Sequence, residues 1–179
     1  MVAKYTTKPG PTEVWNKKEL EYLIEIGIVV RGSMDSYIEN PCFITTKETI
    51  APLILEENSA DVLLALAEKK LPCTIIHMPI SGISSPVSLY SATIIGNCEI
   101  LGTSAAIKAV YPDASIIGGI ISGSTDMATG TANFATPEAT LQDLALAELH
   151  ERFYGFNFGM GGIYGCKISR CTECNRKRV

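Results

Sequence analysis

Strand-like apolar segments alternate with helical segments along this chain, at the spacing of roughly 30 to 40 residues that is typical of βαβ units. One such segment, residues 73–78, is almost continuously apolar and ends at Pro79. Strands of a parallel sheet read this way because crossover helices bury both of their faces. The alternation therefore predicts an α/β fold in which helices on one face join parallel strands. The predicted strands span residues 43–46, 74–78, 115–119 and 156–159.

Chain length limits the architecture that these units can build. A closed (β/α)8 barrel takes about 250 residues, whereas this chain has 179 residues, 46% of them hydrophobic. That is enough for the core of one domain. We therefore predict a partial (β/α)8 TIM barrel over residues 1–165, with parallel strands alternating with helices. In folds of this class, ligands bind at the carboxyl ends of the strands.

Helical spacing and capping residues predict the connecting helices. The first covers residues 12–29 with Thr12 as its N-cap, and the second follows an N-cap at Asn58 or Ser59. Residues 85–111 form one helix, or two helices that are broken at Gly96 or Gly102. The last helix is the clearest, because Thr136 caps it, Pro137 occupies its first position and Gly155 ends it. Within it, Leu141, Ala145 and Leu149 share a face.

Charge and hydropathy exclude several classes of partner. The net charge of −4 implies no general polyanion-binding surface, so no nucleic-acid partner is expected. No segment has the roughly 18 continuous apolar residues that a membrane span needs. Residues 1–15 lack the apolar core of a signal peptide. The chain is therefore expected in the reducing cytoplasm without a membrane partner, with its six cysteines as thiols.

Two polar segments that follow predicted strands carry the candidate chemistry. Residues 122–136 combine Ser, Thr, Gly and Ala with one acid, and residues 78–86 are similarly small. Small residues let the backbone approach a ligand closely, and neighbouring aromatic rings can hold a quaternary ammonium by cation–π attraction. The candidate substrate-binding residues are His77, Met78, Ser81, Ser122, Ser124, Asp126 and Phe158.

Each candidate also has a purely structural interpretation. His77 can be a core histidine with satisfied hydrogen bonds, Asp126 can cap a turn, and Phe158 can belong to the core. Residues 122–136 can be a surface loop without function. The sequence assigns no catalytic residue and no metal ligand, because it contains no phosphate loop, zinc-protease helix or nucleophile elbow.

The order and spacing of three motifs are more specific than any one residue. The chain carries HMPISGISSPVSL at 77–89, a Gly-Gly strand followed by an Ala-x-Pro-Glu helix start and a Tyr-Gly helix end within 118–155, and GMGG at 159–162. Together these motifs resemble the trimethylamine methyltransferase family, with likeness over residues 12–165. Family chains are much longer, so this chain corresponds to a middle slice of them.

The resemblance implies an α/β barrel enzyme that moves a methyl group from trimethylamine, or from a quaternary amine such as a betaine, to Co(I). The cobalt belongs to a corrinoid (cobalamin) that a separate, cognate corrinoid protein carries, so no cofactor bound by this chain is expected. The substrate pocket of such an enzyme has to orient one methyl group and exclude water. In that pocket Asp126 would offset the substrate's positive charge, or it would only cap the turn. The slice alone is expected to be inactive and to form homo-oligomers through its unpaired edge strands.

Residues 166–179 depart from the family pattern. They contain Cys166, Cys171 and Cys174 before a basic end, without a nearby fourth zinc ligand. One permissible coding sequence from Gly165 onward, read one base later, gives Asp-Ala-Lys-Ser-Pro-Asp-Ala-Gln, which fits the family's Asp-Ala-Lys-x-Pro-Asp-Ala-Gln. The shifted codon at the x position cannot be the amber codon for pyrrolysine. The chain therefore resembles the family branch without pyrrolysine, which tends towards quaternary amines. We interpret this segment as a frameshifted, non-native tail. The alternative is a small zinc-binding or nucleic-acid-binding protein whose tail is functional.

Overall fold

A five-stranded parallel sheet is the centre of the fold. The structure, a computed structural model, describes residues 8–155 and 157–160. The strands of this sheet are β1 (Gly10–Glu13), β2 (Phe43–Glu48), β3 (Cys73–His77), β5 (Ile116–Ile120) and β8 (Asn157–Met160). Their spatial order is β1-β2-β3-β5-β8, so every crossover moves in the same direction across the sheet. Right-handed crossovers then place the connecting helices on one face.

This architecture confirms the predicted α/β class with parallel strands. The four predicted strands agree with β2, β3, β5 and β8 to within two residues at each end. Over the described part of the chain the sheet is open, with β1 and β8 as its edge strands. Strand β1 was not predicted, because its four residues contain no apolar run.

The connecting helices form a single layer, in which α1 packs on α3, α3 on α4 and α4 on α5. The main core lies between this layer and strands β1 to β3, and a smaller core lies where α4 and α5 cover β5 and β8. The helices are α1 (Lys17–Arg31), α2 (Met34–Glu39), α3 (Glu57–Glu68), α4 (Leu89–Val110) and α5 (Pro137–Leu149), and a π-helical turn (His150–Tyr154) continues the last.

The predicted start of α1 is wrong. Thr12 lies in β1, and the helix begins five residues later behind Asn16. The Asn16 side chain accepts the Glu19 N–H at 3.0 Å, and the Glu19 carboxylate accepts the Trp15 N–H at 2.8 Å. This reciprocal pairing closely resembles a capping box. It fixes the helix start and leaves Thr12 free to pair within the sheet.

The predicted cap of α3 is also displaced. The helix begins at Glu57 behind Glu56, so Asn58 and Ser59 lie in its first turn. Their side chains donate to the Glu56 carboxylate at 3.1 and 3.4 Å. A carboxylate at this end is favoured by the positive end of the helix dipole, which explains why an acid replaces the usual hydroxyl or amide cap.

Of the predicted segment 85–111, residues Leu89–Val110 form one helix, α4, which runs without a break through Gly96 and Gly102. The helix therefore begins four residues later than the predicted start at Ser85. For α5 the predicted boundaries are confirmed: Thr136 accepts a backbone N–H at 3.2 Å, and Gly155 ends the π-helical turn with a left-handed φ of 65°. The apolar face of α5 does not point inward, since Leu141 is 57% exposed. The buried face of α5 instead carries Ala139, Gln142, Asp143 and Leu146.

A second, three-stranded sheet extends the carboxyl edge of the first. Its strands are β4 (Ile80–Ser81), β6 (Gly123–Asp126) and β7 (Thr131–Asn133), in the order β4-β6-β7. Strands β4 and β6 run parallel, and β6 and β7 form an antiparallel hairpin. The segment 122–136 is therefore not wholly a loop, and this hairpin gives its polar side chains defined positions.

The open sheet predicts self-association of the 179-residue chain. Edge strands expose unpaired N–H and C=O groups that template pairing with another chain. We expect light scattering after size-exclusion chromatography to give a mass well above the 19.3 kDa of one chain, with the associated fraction rising with concentration. A monomer with one cooperative thermal transition at all concentrations would contradict this expectation.

Candidate functional site

The carboxyl ends of β3 and β5 are held together by backbone hydrogen bonds beyond the main sheet. Ile121 donates to the carbonyl oxygen of His77 at 3.0 Å, and Gly123 donates to that of Pro79 at 2.8 Å. The two polar segments singled out by the sequence therefore lie side by side at one edge of the sheet, with half-buried Met78 at the junction. This edge is where α/β folds bind ligands.

Helix α5 supplies polar support beneath this edge. Asp143 accepts the backbone N–H of Ser122 at 3.0 Å, and Gln142 accepts the Ser81 hydroxyl at 3.4 Å. All four residues are buried. Burial raises the pKa of Asp143, and hydrogen bonds from Ser122 oppose that change. The sequence interpretation missed Gln142 and Asp143, although a polar pair inside the apolar segment 141–147 was the available signal.

Ser124 and Asp126 both lie on β6. The Ser124 hydroxyl is 2.8 Å from the hydroxyl of Thr136, the cap of α5. Asp126 is exposed and accepts the Ala128 N–H at 2.9 Å, which closes the turn towards β7. This backbone hydrogen bond lowers the pKa of Asp126, so the carboxylate is ionised at neutral pH. Asp126 thus caps a turn and also places a negative charge at this edge.

His77 faces the helix layer and is fully buried. Its Nδ1 lies 2.6 Å from the Glu99 carboxylate of α4. The ring packs directly on Gly96, where a Cβ atom would come within 2.6 Å of the imidazole Cδ2. These contacts match the structural interpretation of His77 as a hydrogen-bonded core residue, which supports the carboxyl edge from behind.

Glu99, which the sequence interpretation missed, connects three parts of the fold. Besides His77, its carboxylate accepts the Thr49 hydroxyl at 2.5 Å and the Leu53 N–H at 2.7 Å. Burial alone would raise the pKa of Glu99, but these hydrogen bonds and the interaction with His77 outweigh it and lower the pKa below its ordinary value. One carboxylate on α4 thereby fixes the segment after β2 and the last residue of β3.

Phe158 also belongs to the helix side of the sheet. It packs with Ile100, Ile120 and Leu146, and its ring centroid is 4.9 Å from that of His150. Burial lowers the pKa of His150 to about 4, so this imidazole is neutral at pH 7. Phe158 and His150 form an aromatic contact beneath the carboxyl end of the sheet.

Two carboxylates lie on the face of the sheet opposite the helices. Thr45 and Lys47 of β2 are buried under the helix layer, so alternation along the strand turns Thr46 and Glu48 to the open face. Glu13 pairs with Thr46 in register and shares that face. Burial raises the pKa of Glu48, and the charge of Glu13 adds to the effect. The open face therefore carries negative charge near the carboxyl ends of β1 and β2.

Other classes of site find no support in residues 8–155 and 157–160. There, no group of three or more His, Cys, Asp or Glu side chains is placed to hold a metal ion, and no helix is long and apolar enough to cross a membrane. Cys42, Cys73 and Cys98 carry free thiols, and burial raises the pKa of Cys73 to about 11. The predicted tail at 166–179 and Phe156 lie outside the described residues.

Parallel strands with polar segments gathered at their carboxyl edge define an α/β protein of the kind that binds small ligands at its strand ends. The family is given by comparison with known proteins. The profile of the family described as "Trimethylamine methyltransferase (MTTB)" matches residues 2–169. The chain therefore belongs to the trimethylamine methyltransferase family.

Three relatives illustrate the likeness. A glycine betaine methyltransferase of Desulfitobacterium hafniense (strain Y51) is 29% identical over 146 residues, 82% of this chain and 30% of the relative. The trimethylamine methyltransferase MttB of Methanosarcina thermophila is 29% identical over 149 residues, which cover 83% of this chain and 31% of the relative. A proline betaine:corrinoid methyltransferase of Eubacterium limosum is 28% identical over 160 residues, which cover 86% of this chain and 33% of the relative. The chain spans about a third of the length of these relatives.

Proposed function

We propose that this chain, continued to the length of its relatives, transfers a methyl group from trimethylamine or a betaine-like quaternary amine to the Co(I) of a cognate corrinoid protein. The observation that carries the proposal is the contact between the two family-matching polar segments at the carboxyl edge of β3 and β5. The relatives are named for glycine betaine, trimethylamine and proline betaine, and one is named for a corrinoid.

The chemistry assigns this chain a binding and orienting role. In the transfer one carbon–nitrogen bond breaks, its electron pair stays with nitrogen, and the methyl group passes to the acceptor. A quaternary amine is cationic, and trimethylamine becomes cationic when its nitrogen is protonated, so in both cases nitrogen leaves as a neutral amine. The site therefore has to offset a positive charge and aim one methyl group outward. The carboxylates of Asp126, Glu13 and Glu48 supply negative charge at the edge and on the open face.

We propose that the substrate contacts the carboxyl-edge residues Met78, Ser81, Ser122, Ser124 and Asp126. His77 and Phe158 would act from the helix side by holding the ends of β3 and β8 in place. The corrinoid is proposed to belong to the partner protein as the methyl acceptor, with no cofactor bound by this chain. The free thiols of Cys42, Cys73 and Cys98 are consistent with a cytoplasmic setting.

Methyl transfer should require the longer protein. We expect a version extended to the relatives' length to methylate a Co(I) corrinoid protein with at least one of trimethylamine, glycine betaine or proline betaine, followed by corrinoid absorbance. The 179-residue chain should be at least a hundredfold slower, because misplacement of a reacting group by about 1 Å costs on the order of a hundredfold.

The controls for this assay separate its two claims. Omission of the amine, or of the corrinoid protein, should abolish the absorbance change. If the extended protein methylates no corrinoid with any of the three amines, the proposed reaction is wrong. If the 179-residue chain alone matches the extended protein, the requirement for the missing part of the site is wrong.

A further inference from the structure

The outward face of helix α4 carries no charge. The exposed residues of this helix are all apolar or glycine: Tyr90, Ile94, Cys98, Gly102, Ala105, Ala106, Ala109 and Val110. Its charged residues lie elsewhere, because Glu99 is buried and Lys108 donates to the Ala114 carbonyl oxygen at 3.1 Å. A helix that covers the core of a soluble protein normally has polar residues on its outer side, and a helix that is apolar all round is buried. This composition indicates that another surface covers α4.

Most of these residues form one row along the helix. They recur at every fourth position from residue 90 to residue 110, and rows of this spacing from two helices interlock when the helices cross at about −50°. Large side chains occupy the start of the row, where Tyr90 is 77% and Ile94 is 45% exposed. The row continues with the small residues Cys98, Gly102 and Ala106. It therefore has a projection near one end and a depression in its middle.

The depression opens into a cavity of about 240 Å³ beside α4. Gly102 and Ala106 form one wall, and the exposed residues Leu53 and Ile54 form the opposite wall. Among the described residues that line the cavity, Glu99 alone is charged, and its carboxylate is already occupied by three groups of the fold. An aliphatic or aromatic side chain from outside therefore meets apolar walls, as the central residues of a protein interface do.

Extension of the sheet does not cover this face. Further strands join a sheet at its edges, which are β1 and β8 here, whereas α4 lies between α3 and α5 within the helix layer. With Leu141 and Leu144, which are exposed on the adjoining α5, the row and the outer cavity wall present roughly 700 Å² of surface, since a large side chain contributes about 150–250 Å² when fully exposed. A stable interface buries about 800 Å² of each partner. The face is therefore of the size that a dimer requires.

We propose that the outward face of α4 pairs with the same face of a second copy of this chain about a two-fold axis. Such an isologous interface uses one surface twice, so that surface has to contain both a projection and a recess that receives it. Helix α4 offers Tyr90 as the projection and the cavity at Gly102 as the recess. In an antiparallel pair whose axis passes at the level of Gly96, Tyr90 of each copy lies opposite Gly102 of the other. This interface is separate from the edge strands and from the carboxyl edge of the proposed reaction.

The Cys98 thiol reports on this face locally. It is exposed, whereas Cys42 and Cys73 are buried. Its rate of alkylation by N-ethylmaleimide is measured on the 179-residue chain at increasing protein concentration, with peptide mass mapping to separate it from the other cysteines and sedimentation to give the mass. We expect the rate to fall at least tenfold as the mass rises. If the chain associates with an unchanged Cys98 rate, or remains a monomer, the proposal is wrong.

Matched variants test the location independently. Ala105→Glu places a charge at an exposed position of this face, so it should keep the Cys98 rate at its dilute value and weaken dimerisation at least tenfold. Gly102→Leu fills the recess for Tyr90, and a Cβ atom there meets nothing within 4 Å, so it should weaken dimerisation while the chain stays folded. Val29→Glu, at an exposed apolar position of α1, should leave both readings unchanged. Dimerisation of Ala105→Glu at the wild-type level would overturn the proposal. No corrinoid or methyl transfer is involved, so either proposal can fail without the other.

Discussion

Replacement of Glu99 by alanine should destabilise the folded chain by about 3–5 kcal/mol, which is typical when one partner of a buried charged network is removed. The variant leaves the Thr49 hydroxyl, the Leu53 N–H and His77 Nδ1 without their acceptor in a buried site. For a chain of this size the loss corresponds to a fall in Tm of roughly 6–20 °C. Urea denaturation and thermal melting at low protein concentration measure it.

Conservative and surface variants separate the charge from the shape. Glu99→Gln keeps a carbonyl acceptor in nearly the same volume, so its stability should lie between those of the wild type and Glu99→Ala. Glu25→Gln, at an exposed position of α1, should change stability by less than about 0.5 kcal/mol. A Glu99→Ala variant that loses less than about 1 kcal/mol would show that the network contributes little to folding.

The same carboxylate gives the wild type a predictable response to acid. Because the pKa of Glu99 is lower in the folded chain than its ordinary value of 4.5, its contribution is fully present above that value. The contribution is lost as the pH falls through the lower, folded pKa. Glu99→Gln should remove this part of the acid sensitivity, so the stability difference between the two proteins should narrow as the pH falls below 4.5.

Two glycines of α4 should respond in opposite directions to alanine. Gly96→Ala should destabilise the chain by about 2 kcal/mol, because the new Cβ would lie 2.6 Å from the His77 ring, which Glu99 holds in place. Gly102→Ala should stabilise it by up to about 1 kcal/mol, since its Cβ meets nothing within 4 Å and alanine favours the helix. Urea denaturation of both variants measures the difference.

This pair is matched because both glycines lie in the interior of one helix and differ only in their surroundings. The helix propensity gain is common to both, so the difference between the two changes reports the His77 contact alone. If Gly96→Ala proves as stable as Gly102→Ala, the His77 ring is able to move aside. In that case Glu99 does not fix the ring, and the expected effect of Glu99→Ala becomes smaller as well.

Local sequence determined much of the fold. Continuous apolar runs predicted β3 and β5 because a parallel strand is buried on both faces, whatever its neighbours are. Thr136 and Gly155 fixed the ends of the last helical segment because capping depends on groups within one helical turn. The position of the polar segments after β3 and β5 also predicted that Ser81 and Ser122 lie at one edge, since the carboxyl ends of parallel strands coincide.

Tertiary structure alone decided which polar residues act together. Glu99 meets His77, Leu53 and Thr49 across separations of 22, 46 and 50 residues, and no local pattern encodes such contacts. The buried face of α5 contains Gln142 and Asp143 beside Leu146, because the buried strand ends required hydrogen-bond partners there. Glu13 and Glu48 share the open face only through the register of β1 with β2, which is set by chain packing and not by either segment.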